Sequence, residues 1–328
     1  MPKTQDYLLS IVVPVYNESA GLPEFHSSLI NVLQQSVKEF EVIYCDDGSI
    51  DDTAKLISEW HRNDPRVKLI SFSRNFGKEK ALSAAIAQSR GQAILMLDSD
   101  GQHPVELIPE FIKSWQAGAQ VVIGLRTDSS DFGWVKRLTA GLFYKIFNRI
   151  AGQKLIRGAT DFRLIDKSVQ QVFLTLPETD RITRGLIDWV GFKREYIEFT
   201  AKQRQSGTPS YGLPKLMGLA ANSFTSLTPK PLYMFGYLGI FITIASFILG
   251  IVVIIEQLLL NDPLHWKFTG TAMLGILLLF LVGIVLMSQG ILSLYVSRIH
   301  NQSLHRPLYV IDFAKSAGIE TRKPNHEK

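Results

Sequence analysis

Short apolar runs alternate with helical patterns over residues 1–125, and this alternation constrains the fold more than any other feature of the chain. The apolar runs are rich in β-branched residues and end at Asn, Asp, Gly or Pro, as strands do. The segments between them carry apolar residues at helical spacing. Such alternation predicts an α/β domain with a doubly wound, mostly parallel sheet. We predict strands at 9–15, 40–45, 67–72, 93–97 and 120–124, and helices at 22–35, 53–61, 78–88 and 106–115, whereas residues 126–210 show a less regular pattern.

Two later stretches, residues 231–255 and 268–297, contain no charged residue. Each exceeds the ~20 apolar residues that are needed to cross about 30 Å of hydrocarbon. A buried helix of a soluble domain is the alternative, but two successive runs of this length favour a transmembrane hairpin. Basic residues precede the first run and follow the second, so the positive-inside rule predicts that both termini are cytoplasmic.

These patterns divide the chain into four expected segments, in a protein of the cytoplasmic (inner) membrane that contacts the lipid bilayer. Apolar residues in 213–227 form nearly one helical stripe, which suits a helix in the bilayer interface or one packed on the domain. We expect an α/β domain at 1–210, an interfacial amphipathic helix at 211–230, two transmembrane helices within 231–298 (about 232–256 and 269–296), and a cytoplasmic tail at 299–328.

Charge and cysteine content exclude several classes of protein. The net charge is only +5, and no dense Lys/Arg run is interleaved with aromatic residues, so we expect no nucleic-acid partner. A single cysteine, Cys45, excludes an internal disulfide and a cysteine-rich zinc site. Neither a Walker A pattern nor G-x-G-x-x-G is present, which argues against P-loop ATPases and dinucleotide oxidoreductases.

Polar residues follow the first, second and fourth predicted strands directly. Each group alone is also typical of a turn or a helix cap. However, the carboxyl ends of parallel strands meet at one sheet edge, where α/β proteins bind ligands. Asp98, Asp100 and Gln102 alternate along an extended segment and offer only oxygen atoms, which Mg²⁺ and Mn²⁺ prefer while phosphates fill their open positions. The sequence therefore predicts a divalent cation and a diphosphate at this edge. His103, which is followed by a proline, is more typical of a structural residue.

The motifs SIVVPVYNE, DDGS, SRNFGKEKAL, LDSDGQHP and TDFRL together resemble those of the inverting glycosyltransferases of family 2, which have the GT-A fold. They are most similar to the polyprenyl-phosphate branch that includes dolichol-phosphate mannose synthase. Within that branch, RNFGKE and the two C-terminal spans resemble bactoprenol (undecaprenyl-phosphate) glucosyltransferases of the GtrB type. The resemblance covers the chain to about residue 300.

This resemblance implies inverting transfer of one hexose, glucose from UDP-glucose, to undecaprenyl phosphate on the cytoplasmic membrane face. Such products serve lipopolysaccharide or other cell-surface glycan modification, and we expect a homo-oligomer. Two alternatives stay open: another donor, GDP-mannose or a UDP-aminosugar, and a catalytically silent membrane scaffold. The processive Q-x-x-R-W signature is absent, which argues against repeated addition to a growing chain.

The resemblance also implies roles for individual residues. It assigns the nucleotide-sugar pocket to Pro14, Tyr16, Glu18, Asp47, Arg74 and Asp98, the metal site to Asp98, Asp100 and Gln102, and the acceptor phosphate to Arg126, Arg137 and Arg204. Asp100, Asp161 and Arg163 are the candidate catalytic residues. Asp161 occupies the position of the base. Since a phosphate monoester is already an anion near pH 7, we expect Asp161 mainly to orient the acceptor or Arg163. The branch's Gly-x-Ser-Lys-Tyr segment is replaced by GTPSY at 207–211, which removes its lysine.

Overall fold

The computed structural model describes residues 7–127, 158–178, 181–200 and 306–319, together with scattered residues between 270 and 304. The strands are β1 (Leu8–Val15), β2 (Glu39–Asp46), β3 (Val67–Ser71), β4 (Ala93–Met96), β5 (Val121–Arg126), β6 (Ala159–Asp166) and β7 (Arg194–Phe199). The helices are α1 (Leu22–Ser36), α2 (Thr53–Asn63), α3 (Lys78–Gln88), α4 (Ile108–Gln116), α5 (Lys167–Thr175) and α6 (Thr183–Val190), and a 3₁₀ turn (Val105–Leu107) precedes α4.

All strands and helices predicted for residues 1–125 are present, with ends that differ by about two residues or fewer. The less regular pattern of residues 126–210 gave no strand or helix prediction, yet β6, α5, α6 and β7 occur in the described part of that range. These elements escaped prediction for a physical reason. In β6 and β7 charged residues interrupt the apolar pattern, so neither segment has the continuous β-branched run that marks a buried parallel strand.

The seven strands form one sheet in the order β3-β2-β1-β4-β6-β5-β7. The pairs along β3-β2-β1-β4 are parallel, and so is the pair β5-β7. Strand β6 lies between β4 and β5 and runs antiparallel to both. Of the seven described strands, six therefore run in one direction, as the expectation of a mostly parallel sheet requires, and the sheet is mixed because β6 runs in the opposite direction.

Side chains of alternating direction build a core on each face of the sheet. On one face, Leu9 and Ile11 of β1 pack with the buried sides of α1, α2 and α4. On the other, Val12 of β1 packs with buried residues of α3, α5 and α6. Strands β1 to β4 are buried along almost their whole length, and the polar residues that follow their carboxyl ends form the candidate site.

The chain divides into two compact units, and the first contains every strand and helix named above together with the tail residues 306–319. In the second unit, the residues described between Gly270 and Ser303 are helical. Among all residues that the structure describes, no helix is both long and apolar enough to cross a membrane. The predicted first span (about 232–256) lies outside the described residues and the second only partly within them, so the hairpin stays a prediction.

Candidate active site

Three charged side chains meet at the carboxyl end of β4. The antiparallel register that pairs Met96 with Arg163 brings the residues two positions further along, Asp98 and Asp161, opposite each other. The ammonium of Lys78, from the first turn of α3, lies between them, 2.7 Å from Asp98 Oδ1 and 2.8 Å from Asp161 Oδ2. Strand β4, which was predicted from sequence, and strand β6, which was not, thus bring their acidic residues into one cluster around a lysine.

Lys78 and Asp161 stabilise each other's charged forms. Burial alone would raise the pKa of the Asp161 carboxyl, but Lys78 and two nearby arginines outweigh burial and hold this pKa below its usual range. Burial likewise opposes the charge of Lys78, yet Asp98 and Asp161 raise the pKa of its ammonium above the usual value. Asp161 is therefore ionised and Lys78 is protonated at neutral pH.

Asp100 and Gln102 form a second polar group beside this cluster. The Gln102 amide nitrogen Nε2 donates to Asp100 Oδ2 at 3.0 Å, and its Oε1 accepts a hydrogen bond from Arg126 at 3.1 Å. Arg126 is the last residue of β5, so this contact carries the guanidinium toward the acidic cluster. The ring of His103 accepts a hydrogen bond from the Asp98 backbone N–H at 3.2 Å, and burial lowers its pKa, which suits the predicted structural role.

Asp98, Asp100 and Gln102 suit a hard divalent cation, since they offer carboxylate and amide oxygens. The Asp98 carboxylate already holds one cation, the Lys78 ammonium, so its surroundings accept positive charge. Within the described parts of the chain, no group of three or more His, Cys, Asp or Glu side chains is arranged to hold a metal ion. A cation here would take its further ligands from donor phosphates and water, and the Mg²⁺ or Mn²⁺ site stays a prediction.

A cavity of about 780 Å³ opens at the carboxyl ends of β2 and β3. Tyr16 and Arg74, both predicted for the nucleotide pocket, line it, and so does Asp46. The buried Asp46 carboxylate accepts hydrogen bonds from Ser71 Oγ and from the backbone N–H of Ser49, both at 3.1 Å. The volume lies within the range of about 300–1,000 Å³ that is typical of small-molecule sites.

Asp47, which the resemblance assigns to the nucleotide pocket, shapes the loop beside the cavity. Its two carboxylate oxygens accept hydrogen bonds from the backbone N–H groups of Phe76, at 2.7 Å, and Gly77, at 2.8 Å. Gly48 follows with φ +73°, and a Cβ there would lie 2.5 Å from the Arg74 carbonyl carbon, so only glycine fits. These contacts hold the loop 74–78, which carries Arg74 at the cavity and Lys78 at the acidic cluster.

Two further residues of the predicted nucleotide pocket lie at the end of β1. Pro14 is buried within the strand, opposite Cys45 in the parallel register with β2. The backbone N–H of Glu18 donates to Thr53 Oγ1 at 3.0 Å, and its carbonyl accepts from Leu22 at the start of α1. Neither residue lines the 780 Å³ cavity. Both therefore support the backbone around the predicted nucleotide pocket.

Arg163 is almost fully buried and points at helix α6. Its Nη1 donates to Asp188 Oδ1 at 2.9 Å, and its Nε donates to the Thr160 carbonyl at 2.9 Å. With the guanidinium engaged in this way, the geometry favours a positioning role for Arg163, anchoring the strand that carries Asp161. The other two arginines predicted for the acceptor phosphate, Arg137 and Arg204, lie outside the described residues.

Sequence reasoning overlooked Lys78 and Asp46. The helix dipole disfavours positive charge in the first turn of a helix, so a lysine at that position could have been recognised as a candidate functional residue. Asp46 precedes Asp47, and strand alternation sends the two side chains in opposite directions, so one of the pair was bound to face away from the loop that the other caps. No spacing signal pointed to Lys315, which also lines the cavity.

Known proteins resemble this chain over most of its length. The profile of the family described as Glycosyl transferase family 2 matches residues 10–173. The chain is 37% identical over 303 residues to the bactoprenol glucosyl transferase of Shigella phage SfV, covering 92% of this chain and 97% of that protein. It is 35% identical over 307 residues to the prophage bactoprenol glucosyl transferase homolog of Escherichia coli strain K12, with coverage of 94% and 99%.

One solved structure bears on the fold. Glucosyl-3-phosphoglycerate synthase from Mycobacterium tuberculosis, in complex with Mn²⁺, UDP and phosphoglyceric acid, is similar with a TM-score of 0.50 and 18% identity, over 67% of this chain and 78% of that chain. The mixed sheet with helices on both faces agrees with the GT-A-like fold that the motifs predict.

Proposed function

The chain belongs to glycosyl transferase family 2 and is a glycosyltransferase, and from this premise we propose that it transfers one hexose from a nucleotide donor to a polyprenyl phosphate. The observation that carries the proposal is the loop 74–78, which joins a nucleotide-sized cavity at Arg74 to the acidic cluster at Lys78. A donor with its nucleoside in the cavity directs its diphosphate and sugar along this loop. The names of the two bactoprenol glucosyl transferase relatives support the lipid acceptor.

The donor that we propose is UDP-glucose. The glucosyl transfer named for the relatives supports the sugar, and the cavity volume supports a nucleoside as the other end of the donor. In the cavity, Tyr16 offers an aromatic ring, 45% exposed, on which a base can stack, and Arg74 offers a guanidinium. Another donor, GDP-mannose or a UDP-aminosugar, is the alternative that the experiment below separates.

In the proposed reaction, an oxygen of the lipid phosphate attacks the anomeric carbon on the face opposite the leaving diphosphate. One carbon–oxygen bond forms as another breaks, the diphosphate leaves with the electron pair, and the anomeric configuration inverts. No strong base is required, because the phosphate is already anionic. Asp161, held by Lys78, orients the acceptor side of the cluster. Arg126 lies where its guanidinium can bind the acceptor phosphate in bidentate fashion.

A divalent cation bound at Asp98, Asp100 and Gln102 would supply positive charge to the diphosphate as it leaves. The Lys78 ammonium, which pairs with both Asp98 and Asp161, lies beside these residues and could also contact phosphate oxygens of a bound donor.

We also propose that the enzyme is held in the cytoplasmic membrane by the predicted hairpin, with both termini cytoplasmic. A lipid phosphate cannot leave the bilayer, so its binding site must lie near the headgroups. Two observations support this arrangement. The tail residues pair with β3 of the catalytic domain, which requires an even number of crossings in any spanning segment between them. Among the described helical residues, Leu274, Leu278 and Val285 expose more than half of their surface, as lipid-facing side chains do.

A donor panel tests the proposed function. The purified full-length protein in detergent receives undecaprenyl phosphate, Mg²⁺ or Mn²⁺, and radiolabelled UDP-glucose, GDP-mannose or a UDP-aminosugar. We expect label from UDP-glucose to enter the organic phase with the wild-type protein and to fall at least ~100-fold with Asp100→Asn. Label from a different donor would replace UDP-glucose in the proposal. No organic-phase label from any donor would overturn it.

A further inference from the structure

The C-terminal tail forms part of the candidate active-site domain. Residues 309–317, which we call the tail segment, run along the outer edge of β3, the terminal strand of the sheet. Leu69 and Ala317 exchange both backbone hydrogen bonds at 2.9 Å, and the Asp312 N–H donates to the Ser71 carbonyl at 2.8 Å. The tail segment therefore supplies backbone partners to an edge strand that would otherwise expose them.

Side-chain contacts fix the tail segment at this edge. The ring of Tyr309 stacks on that of the buried Phe72, with centroids 5.0 Å apart. Ser316 Oγ accepts a hydrogen bond from the Ser71 N–H at 3.0 Å, and Ser71 Oγ in turn donates to Asp46 at the cavity. The tail segment is thus tied directly to a residue that lines the proposed nucleotide site.

Between its two anchored ends, the tail segment turns toward the cavity. Ala314 and Lys315 line the cavity opposite residues that follow β1, β2 and β3. The side chain of Lys315 is 66% exposed and forms an ion pair with Asp312, 3.5 Å away, that contributes little to stability. With Lys55 and Arg74, three basic side chains line the cavity against two carboxylates, Asp46 and Asp51, and this excess of positive charge suits an anionic ligand.

We propose that the tail segment is the outer wall of the donor's nucleotide pocket and that Lys315 binds the anionic part of the nucleoside diphosphate. This inference rests on the proposed function, since it takes the cavity as the nucleotide site. It assigns to the C-terminal tail, which follows the predicted membrane spans, a direct contact with the donor. Nucleotide affinity would then depend on residues that lie about 240 positions after β3 in the sequence.

A pair of tryptophan variants tests the wall. In the full-length detergent-purified protein, Ala314→Trp places a large ring on the cavity side, whereas Phe313→Trp enlarges a neighbour that is 50% exposed and does not line the cavity. With UDP alone and Mg²⁺, isothermal titration calorimetry should show at least about tenfold weaker binding for Ala314→Trp than for the wild type. Phe313→Trp should bind within about twofold of the wild type. Equal affinity of the two variants would overturn the inference.

A charge-removal pair tests Lys315 itself. Lys315→Gln should weaken UDP binding about two- to fivefold, the range of one exposed ion pair, and this difference should shrink as salt is added. Lys113→Gln, an exposed lysine on α4 far from the cavity lining, is the matched control and should bind as the wild type does. If Lys315→Gln and Lys113→Gln bind alike, the Lys315 contact is wrong while the proposed function stands. If UDP, GDP and ADP all fail to bind the wild type, the proposed function falls and this inference falls with it.

Discussion

At the scale of single residues, the site depends on one lysine between two carboxylates. Lys78 neutralises most of the repulsion between Asp98 and Asp161, which the β4–β6 register forces to face each other. Because these three side chains pair with one another in a partly buried site, replacing any one of them changes the electrostatic environment of the other two. The family resemblance assigned roles to the two acids, but their coupling is visible only in the structure.

Asp161→Asn separates orientation from proton removal. We expect kcat to fall about 100-fold, because a misplaced acceptor loses near-attack geometry. Since the acceptor phosphate needs no base, raising the pH from about 6 to 9 should not restore the rate. A pH–rate profile of the variant, with Glu195→Gln on β7 as an exposed control, makes the measurement. Full recovery at high pH would show instead that Asp161 removes a proton.

A buried carboxylate far from the site, Glu41 on β2, stabilises the sheet. It pairs with Lys68 of β3 at 2.6 Å and accepts a hydrogen bond from the Arg90 N–H at 2.7 Å. Burial would raise the pKa of Glu41, but Lys68, Ser10 and Arg90 together hold it below its usual value. The folded state therefore binds this proton less readily than the unfolded state does, so the pair stabilises the protein above the unfolded pKa of about 4.3.

We expect Glu41→Gln to destabilise the domain by about 3 kcal/mol at pH 7, because it leaves Lys68 partly buried without a charged partner. The deficit should shrink as the pH falls below about 4.3 and through the lowered folded-state pKa, since the wild-type carboxylate is then protonated too. Thermal unfolding at several pH values measures this. Glu39→Gln, an exposed carboxylate on the same strand, should change Tm little at any pH. A deficit that does not depend on pH would contradict the assigned cause.

At the scale of elements, β6 determines the site's geometry. Its antiparallel direction brings Asp161, near its beginning, to the end of β4 where Asp98 lies. Strands β1 to β5 could be predicted from sequence because each is an apolar run between turn residues. Strand β6 could not, since Asp161 and Arg163 interrupt its pattern with charge, and those charges serve the cluster and the pair with Asp188. The charged residues that we assign to the site are therefore the same residues that prevent β6 from being recognised as a strand in the sequence.

The tail segment was unpredictable for a different reason. Its pairing with β3 is a contact between positions about 240 residues apart, and edge pairing depends on backbone groups that any sequence provides. Likewise, the prediction identified Tyr16 and Arg74 at the cavity but could not identify Lys315. Short motifs describe neighbours in sequence, whereas this wall is assembled by the fold.

Removal of the tail tests its pairing with β3. A chain that ends at His305 should lose the partners of the Leu69 and Ser73 N–H groups, which donate to Ala317 and Val310. Hydrogen exchange measured by mass spectrometry should then be faster in a peptide that spans 67–73. A peptide that spans β1, which is paired on both sides, should exchange as before. Unchanged exchange in the β3 peptide would show that the tail does not protect this edge.

At the scale of the whole molecule, a GT-A-like catalytic domain is followed in the chain by a predicted membrane hairpin. The single native cysteine, Cys45, is buried in β2, so we expect the folded native chain not to react with thiol reagents. This makes the predicted topology accessible to labelling with one introduced cysteine at a time. The even number of crossings that the tail pairing requires agrees with two spans.

For topology, Asn261→Cys lies in the short charged segment between the predicted spans, and Ile50→Cys lies in the catalytic domain at a position that is 90% exposed. A membrane-impermeant maleimide added to intact cells should label only Asn261→Cys, because this segment is predicted to be extracytoplasmic. After lysis both variants should react. Labelling of Ile50→Cys in intact cells would reverse the proposed orientation.

Mass spectrometry of the intact acceptor measures the proposed transfer of one hexose to a lipid phosphate. Purified protein is incubated with UDP-glucose and either undecaprenyl phosphate or undecaprenol, which lacks the phosphate. We expect undecaprenyl phosphate to gain the mass of a single hexose, undecaprenol to gain nothing, and Asp100→Asn to form little product. A hexose on undecaprenol, addition of several hexoses, or an unmodified phosphate with every nucleotide sugar would overturn the proposed function.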